Sequence, residues 1–297
     1  MMRGANLFQG SIVALVTPMT ESGAVDHDAY ARLIEWQIGQ GTAGLVPMGT
    51  TGESATLSHE EHRRCIGIAV DVARKRVPVI AGTGSNSTRE AIELTTYASQ
   101  AGADAALVVA PYYNKPTQEG VFLHYTAIAD ATNLPILIYN IPSRSVIEIS
   151  VATLARLARH PNIVGVKDAT ANLVRPVQTR LACGPDFCLL SGEDGTAVAF
   201  LASGGAGCIS VTANVAPRLC AEMHAAWQKG DVAGAIALQE RLTPLHEALF
   251  TESNPVPAKY ATSLLGYGGF HCRLPLAPPA EATRATVRHA MGALGLI

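Results

Sequence analysis

Short apolar runs recur along the chain at intervals of roughly 20–35 residues, the period of repeated strand–helix units. They lie at 12–18, 44–48, 77–81, 105–110, 135–139, 163–167, 187–191 and 208–212. Each run is continuous rather than alternating, as a parallel strand buried on both faces requires. Between the runs the spacing turns helical. Tyr30, Leu33, Ile34 and Ile38 fall at i, i+3, i+4 and i+8, behind Asp26 as an N-cap. Ser58-His59-Glu60-Glu61 and Ser87-Thr88-Arg89-Glu90 both read as capping boxes that open helices. Eight strands alternating with helices predict an α/β fold, a (β/α)8 TIM barrel. A doubly wound sheet fits less well, because it often has a Gly-rich first turn and the first turn here is Thr17-Pro18-Met19-Thr20.

The chain runs on past the eighth strand. Segments 217–229, 231–250, 257–265 and 279–294 all have helical patterns. One helix suffices to close a barrel, so the rest predicts a C-terminal helical appendage. The expected organisation is a barrel domain at 1–230 and a helical domain at 231–297.

Composition narrows the class. Of the 297 residues, 48% are hydrophobic and only 15% charged, against about 25% charged in an ordinary globular protein. Such a chain can bury a large core and is not disordered. Its low charge also suggests that other subunits cover part of the surface. With 22 basic and 24 acidic residues the net charge is −2, so nothing points to nucleic acid or an acidic membrane surface. No apolar run approaches the ~18 residues of a membrane span. The start has Arg3 but no apolar stretch before Ser11, which argues against a signal peptide. Cys65, Cys183, Cys188, Cys208, Cys220 and Cys272 form no C-x-x-C pair. Free, buried thiols in a cytoplasmic protein are expected.

In a barrel of this kind, chemistry sits at the C-terminal ends of the strands. The residues there are Thr17-Pro18, Gly49-Thr50-Thr51-Gly52-Glu53, Gly82-Thr83-Gly84 and Pro111-Tyr112-Tyr113-Asn114, then Tyr139-Asn140-Ile141-Pro142, Lys167-Asp168, Ser191-Gly192-Glu193-Asp194 and Thr212-Ala213-Asn214. No Cys/His pair, Ser-His-Asp order or carboxylate cluster at metal spacing is among them. The chain has five lysines, Lys75, Lys115, Lys167, Lys229 and Lys259. Four read as standing in polar or turn-like surroundings, whereas Lys167 ends an apolar run. Desolvation there favours a neutral amine, and a neutral amine can attack a ketone to form a Schiff base. The plainer reading is a lysine that snorkels outward or pairs with Asp168.

Other strand ends carry weaker signals. Tyr113 and Tyr139, bridged by Thr50, could shuttle protons, though strand-terminal tyrosines more often just cap a core. Gly49-Thr50-Thr51-Gly52 could bind a carboxylate through backbone N–H groups and hydroxyls, or could be an ordinary turn. Arg144 could hold a carboxylate bidentately or simply face solvent. His59 and His62 lack the third partner and the H-E-x-x-H pattern of a metal site, so no metal is expected. Gly204-Gly205-Ala206-Gly207, with no following Lys or helix start, is a weak phosphate signal.

Taken together these motifs resemble one family. Gly49-Thr50-Thr51-Gly52-Glu53, Tyr139-Asn140-Ile141-Pro142-Ser143-Arg144 and Gly165-Val166-Lys167-Asp168 are similar to signatures of the dihydrodipicolinate synthase / N-acetylneuraminate lyase superfamily. Pro111-Tyr112-Tyr113-Asn114-Lys115-Pro116 and Ile209-Ser210-Val211-Thr212-Ala213-Asn214 extend the resemblance nearly end to end. It implies a class I, pyruvate-handling barrel enzyme with no cofactor beyond a covalent imine between Lys167 and pyruvate. Thr51, with the backbone of Thr50, would bind the pyruvate carboxylate; Gly192 and Ile209 would line the pocket. Tyr139, Thr50 and Tyr113 would relay protons, Tyr113 arriving from a neighbouring subunit. Arg144 follows the synthase pattern, in which this arginine holds the carboxylate of L-aspartate 4-semialdehyde. Ser145-Val146 departs from the usual Thr-Gly, and a valine there is expected to forbid a positive φ.

The resemblance also implies inhibition by L-lysine at Ser54, Ala55, His59, His62, Asn86, Glu90 and Tyr112, and a homotetramer built as a dimer of dimers. The implied activity is condensation of pyruvate with the semialdehyde in lysine biosynthesis. Two alternatives stand beside it: a 2-keto-3-deoxy sugar acid aldolase or N-acetylneuraminate lyase of the same superfamily, and a non-catalytic sensor of pyruvate or lysine.

Overall fold

All eight apolar runs fold as strands. The computed structural model describes residues 8–297; residues 1–7, where the expected barrel domain begins and on which the signal-peptide reading partly rests, lie outside the described residues. The strands are β1 Gly10–Ala14, β2 Gly44–Val46, β3 Ile80–Gly82, β4 Ala105–Val109, β5 Ile136–Asn140, β6 Ile163–Asp168, β7 Cys188–Ser191 and β8 Gly207–Ser210. They form one sheet in the order β2-β1-β8-β7-β6-β5-β4-β3, with parallel pairing. The fold is the expected (β/α)8 barrel with added C-terminal helices. Among the described residues no helix is long and apolar enough to cross a membrane.

The chain divides into two compact units. One holds Pro78–Ile209 together with the segment ending at Gly10. Here β3 starts later than the apolar pattern, because Pro78 has no N–H to give and the Val79 N–H goes to the Asp104 carboxylate at 2.9 Å. Ser87 caps the helix Thr88–Gln100 at Glu90 N, but the box is not reciprocal. Ser85 intervenes: its hydroxyl donates to the Glu90 carboxylate and accepts from Ser87 N. The glycine run before β8 is a packing turn, since a Cβ on Gly205 would overlap the Phe200 ring.

The other unit holds Ser11–Val77 and Ser210–Ile297. Asp26 caps the helix His27–Gly39 as expected, and the Ser58 box is complete. Strand β1 stops short because a side chain takes over its backbone groups. Asn214 Oδ1 accepts from Val16 N at 3.0 Å, and its Nδ2 donates to Ala14 O at 2.7 Å. The expected helices after β8 appear at Pro217–Gln228, Val232–Ala248, Val256–Leu264 and Glu281–Ala293.

The two least exposed of the ion pairs described in this unit lock it internally. Lys259 Nζ meets Glu53 Oε1 at 2.5 Å, both side chains only 1% exposed. This corrects the reading of Lys259 as a polar-surroundings lysine. It sits on Val256–Leu264, where seven of nine residues are buried, so its ammonium must find a carboxylate inside the protein. Arg273 grips Glu61 with both terminal nitrogens, at 2.8 and 2.5 Å, and also reaches Thr56 O and Gly23 O.

The guanidinium hydrogen bonds, together with the Ser58 N–H, hold the Glu61 carboxyl down to about 2. Because the folded value is depressed, the stabilisation is complete above about pH 4.5 and is lost as pH falls toward 2. Discounted for the partial exposure of the pair, it amounts to about 1–2 kcal/mol. Urea melts between pH 6 and pH 3 should therefore show a steeper loss of stability for the wild-type chain than for Glu61→Gln.

Candidate active site

Lys167 and Tyr139 are register partners at the ends of β6 and β5. Lys167 is 5% exposed, and its Nζ lies 4.3 Å from the centroid of the Tyr139 ring. Among the described residues no carboxylate pairs with this ammonium. Asp168, its neighbour, does not serve it. Successive strand residues point to opposite faces, and Asp168 is engaged elsewhere: Oδ2 accepts from Arg175 Nε at 3.0 Å, and Oδ1 from Thr170. Arg175 continues to the Glu148 carboxylate and Ile149 O. The pairing of Lys167 with Asp168 is thereby excluded.

Gly192 follows β7 beside the lysine. A Cβ there would stand 3.0 Å from Lys167 Cε and 2.7 Å from Ala169 Cβ. Only glycine gives the lysine stem this passage. The next residue, Glu193, feels the charge of Lys167, and burial is the main force pushing its carboxyl upward. Ile209 is fully buried on β8.

In the second unit the Thr50–Gly52 segment is a short 3-10 turn. Gly52 N and Glu53 N close it on Gly49 O and Thr50 O, which leaves the Thr50 and Thr51 N–H groups at its open end. Thr17 Oγ1 donates to Gly52 O at 2.7 Å, and Asn254 Nδ2 donates to Thr51 Oγ1 at 3.0 Å. Glu53 adopts a left-handed backbone, with φ +57°, and its carboxylate accepts from both Lys259 and Arg273 N. The turn is thus tied down by three segments of its own unit.

Tyr113 is 91% exposed, with a left-handed φ of +71°. Asn86 Nδ2 donates to Tyr112 O at 3.2 Å, and Asn114 Nδ2 to Asn86 O, so Asn86 and Tyr112 come together while Glu90 turns to Ser85. In the second unit Ser54 and Ala55 form a 3-10 turn just ahead of His59, and His62 is buried on the same helix. Among the described residues no three His, Cys, Asp or Glu side chains form a metal-binding group. Sequence reasoning missed Asn254, Lys259 and Arg175. The apolar run around Lys259 was a usable signal; nothing local marked the other two.

The sequence matches the Dihydrodipicolinate synthetase family over residues 7–294. This chain belongs to that family. It is 68% identical to a 4-hydroxy-tetrahydrodipicolinate synthase of Acidiphilium cryptum and 64% identical to one of Rhodospirillum centenum, each over 98% of this chain and 100% of the relative. Among solved structures it is similar to a chloride-inhibited dihydrodipicolinate synthase from Acinetobacter baumannii complexed with pyruvate. That match has a TM-score of 0.95 and 49% identity, over 98% of this chain and 100% of the other. A dihydrodipicolinate synthase from Cyanidioschyzon merolae with lysine bound matches with a TM-score of 0.95 and 39% identity, over 98% and 99%.

Against the family pattern, the loop after β5 holds a surprise. Arg144 lies exposed on the short helix Pro142–Ser145, and Val146 caps that helix with φ +65°, ψ −17°. The expectation that valine would forbid a positive φ is wrong. The turn is over-determined by its surroundings: Val146 N donates to Pro142 O, and buried Ser145 Oγ reaches Ile141 O and Ile147 O. Asn140 Oδ1 accepts from Ile149 N on the far side. A β-branched residue held there is strained, and its side chain, 67% exposed, gains little packing in return. Val146→Gly should stabilise the chain by about 1 kcal/mol, net of the greater freedom of glycine when unfolded. Thermal melting should register this as a rise of about 2–4 °C.

Proposed function

We propose that this chain condenses pyruvate with L-aspartate 4-semialdehyde, the activity its motifs imply; its likeness to proteins named 4-hydroxy-tetrahydrodipicolinate synthase supports that reading. The carrying observation is the buried Lys167 amine, in no ion pair among the described residues, over the Tyr139 ring, with Gly192 clearing its path. In this reading Lys167 Nζ attacks the pyruvate ketone and water leaves, giving an imine. Loss of a methyl proton gives the enamine, which attacks the aldehyde carbon of the second substrate. Attack by that substrate's own amine on the imine carbon then closes the ring and releases Lys167. The reading needs no separate cofactor.

Thr51 and the Thr50 backbone hold the pyruvate carboxylate, which the open N–H end of their turn supports. Gly192 and Ile209 form the wall. Tyr139, Thr50 and Tyr113 relay protons, and Arg144 takes the carboxylate of the semialdehyde. A ring as exposed as Tyr113 suits delivery into a second copy's site. A homotetramer is further supported by an exposed apolar stripe, Leu173, Val174, Val177 and Leu181, which a second contact between copies would cover. Lysine inhibition is assigned to Ser54, Ala55, His59, His62, Asn86, Glu90 and Tyr112. The cytoplasm is the compartment we assign, on the six free cysteines. The helical domain is assigned from 231 onward, supported by Asp231 capping Val232–Ala248.

Borohydride reduction in the presence of pyruvate should add a single pyruvate-derived adduct to Lys167; no adduct, or one elsewhere, would sink the reading. Arg144→Ala should keep that adduct and lose semialdehyde turnover by about 100-fold or more, the scale of a lost charge-assisted pair. Retro-aldol release of pyruvate from a sugar acid, without use of the semialdehyde, would point to the aldolase alternative instead. Millimolar L-lysine in the coupled assay should lower the rate, and His59→Ala should weaken that inhibition without removing the adduct.

A further inference from the structure

The Thr51 hydroxyl is not free to choose its role. Thr51 is buried, and Asn254 Nδ2 donates to its Oγ1 at 3.0 Å. An amide N–H only donates, so the hydroxyl accepts on the side facing Asn254 and its hydrogen points elsewhere. Had the amide oxygen faced Thr51, it would have taken that hydrogen and left a lone pair facing outward. An outward hydrogen welcomes a carboxylate; an outward lone pair repels one. Asn254 is itself buried and lies just ahead of Val256–Leu264. That helix is fixed by the pairing of Lys259 with Glu53, two residues beyond Thr51. The same helix start thus supplies the amide, and the loop bearing Thr51 is held against it.

We propose that Asn254 is a positioning residue that commits the Thr51 hydroxyl to donation, so that this turn selects the carboxylate of a 2-oxo acid. The inference rests on the proposed function, in which Thr51 faces pyruvate. It separates a hydroxyl that happens to be near a substrate from one whose direction is set by a residue 203 positions away in the chain.

The experiment uses the full-length protein. Half-saturation by pyruvate is measured through borohydride trapping and through steady-state turnover, in wild type, Asn254→Ala, Asn254→Asp and Thr51→Val, with Asn254→Ala also made in the Thr51→Val background. Asn254→Ala should raise half-saturation by about 5–10-fold, the effect of releasing one hydrogen bond. Asn254→Asp should raise it further, because its oxygens capture the hydroxyl hydrogen and add negative charge. In Asn254→Ala the effect should fall on pyruvate, with the KM for the semialdehyde changed by no more than about 2-fold, since a hydrogen bond to the first substrate is what changes. In the Thr51→Val background Asn254→Ala should add nothing.

Unchanged pyruvate half-saturation in Asn254→Ala would overturn the inference. So would an equal effect with and without the Thr51 hydroxyl, or a loss spread evenly over both substrates. Should Asn254→Asp fail to fold, the Asn254→Ala and Thr51→Val cycle decides alone. Absence of any wild-type adduct would instead overturn the proposed function, and the inference with it.

Discussion

A carboxylate and an ammonium taken out of water together hold the second unit in shape. Either charge alone in that interior would cost several kcal/mol, so the Glu53–Lys259 pair leaves each residue little choice of position. The pair joins the turn after β2 to a helix that begins some two hundred residues later. With Asn254 on Thr51 and Arg273 N on Glu53, it makes the C-terminal helices part of the machinery that shapes a strand-end loop. The added helices are therefore more than a barrel closure. They supply the polar partners that the short Thr50–Gly52 turn cannot find within itself.

The first unit treats charge in the opposite way. Lys167 is nearly as buried as Lys259, yet among the described residues it forms no ion pair, and Glu193 only feels its charge. The adjacent acid, Asp168, is withdrawn to the other face of β6 and neutralised by Arg175, which also holds Glu148 and the backbone at Ile149. One network therefore spans the strand bearing Lys167 and the loop that follows Arg144. The buried His124 shares a hydrogen bond of 2.9 Å with the Thr88 hydroxyl, and desolvation lowers its pKa to about 4, so it remains a neutral group near neutral pH.

Most of the fold was legible because it is written in local patterns. Short continuous apolar runs between turn residues fit strands buried on both faces, and Asp26, Ser58 and Ser87 each capped the helix they preceded. Boundaries slipped where a distant side chain intervened, as Asn214 does at the end of β1. Strand-end logic pointed to Lys167 and Tyr139, since register follows from the pleat. The supporting residues did not declare themselves: Asn254 and Arg175 act through partners fixed only by tertiary contact. Lys259 was misjudged for a different reason. A single charge inside an apolar helix was read by its turn-like flanks rather than by the face it shares. Val146 shows the limit of steric rules, because a turn held by a set of hydrogen bonds can impose a backbone that its residue would not choose.

The unequal treatment of the five lysines has a practical side. Lys75, Lys115 and Lys229 face water, whereas Lys259 is sealed by its ion pair and Lys167 sits deep at a strand end. Among the lysines, amine-directed coupling to a surface or a dye thus has three outlying anchors: one beyond the helix His59–Ala73, one two residues past Tyr113, and one beyond Pro217–Gln228. Arginine supplies the other seventeen basic side chains (22 less the five lysines), and its guanidinium stays protonated and largely inert to such reagents. Through its lysines the molecule can therefore be tethered in only a few orientations, with the two most buried of them set back from the surface.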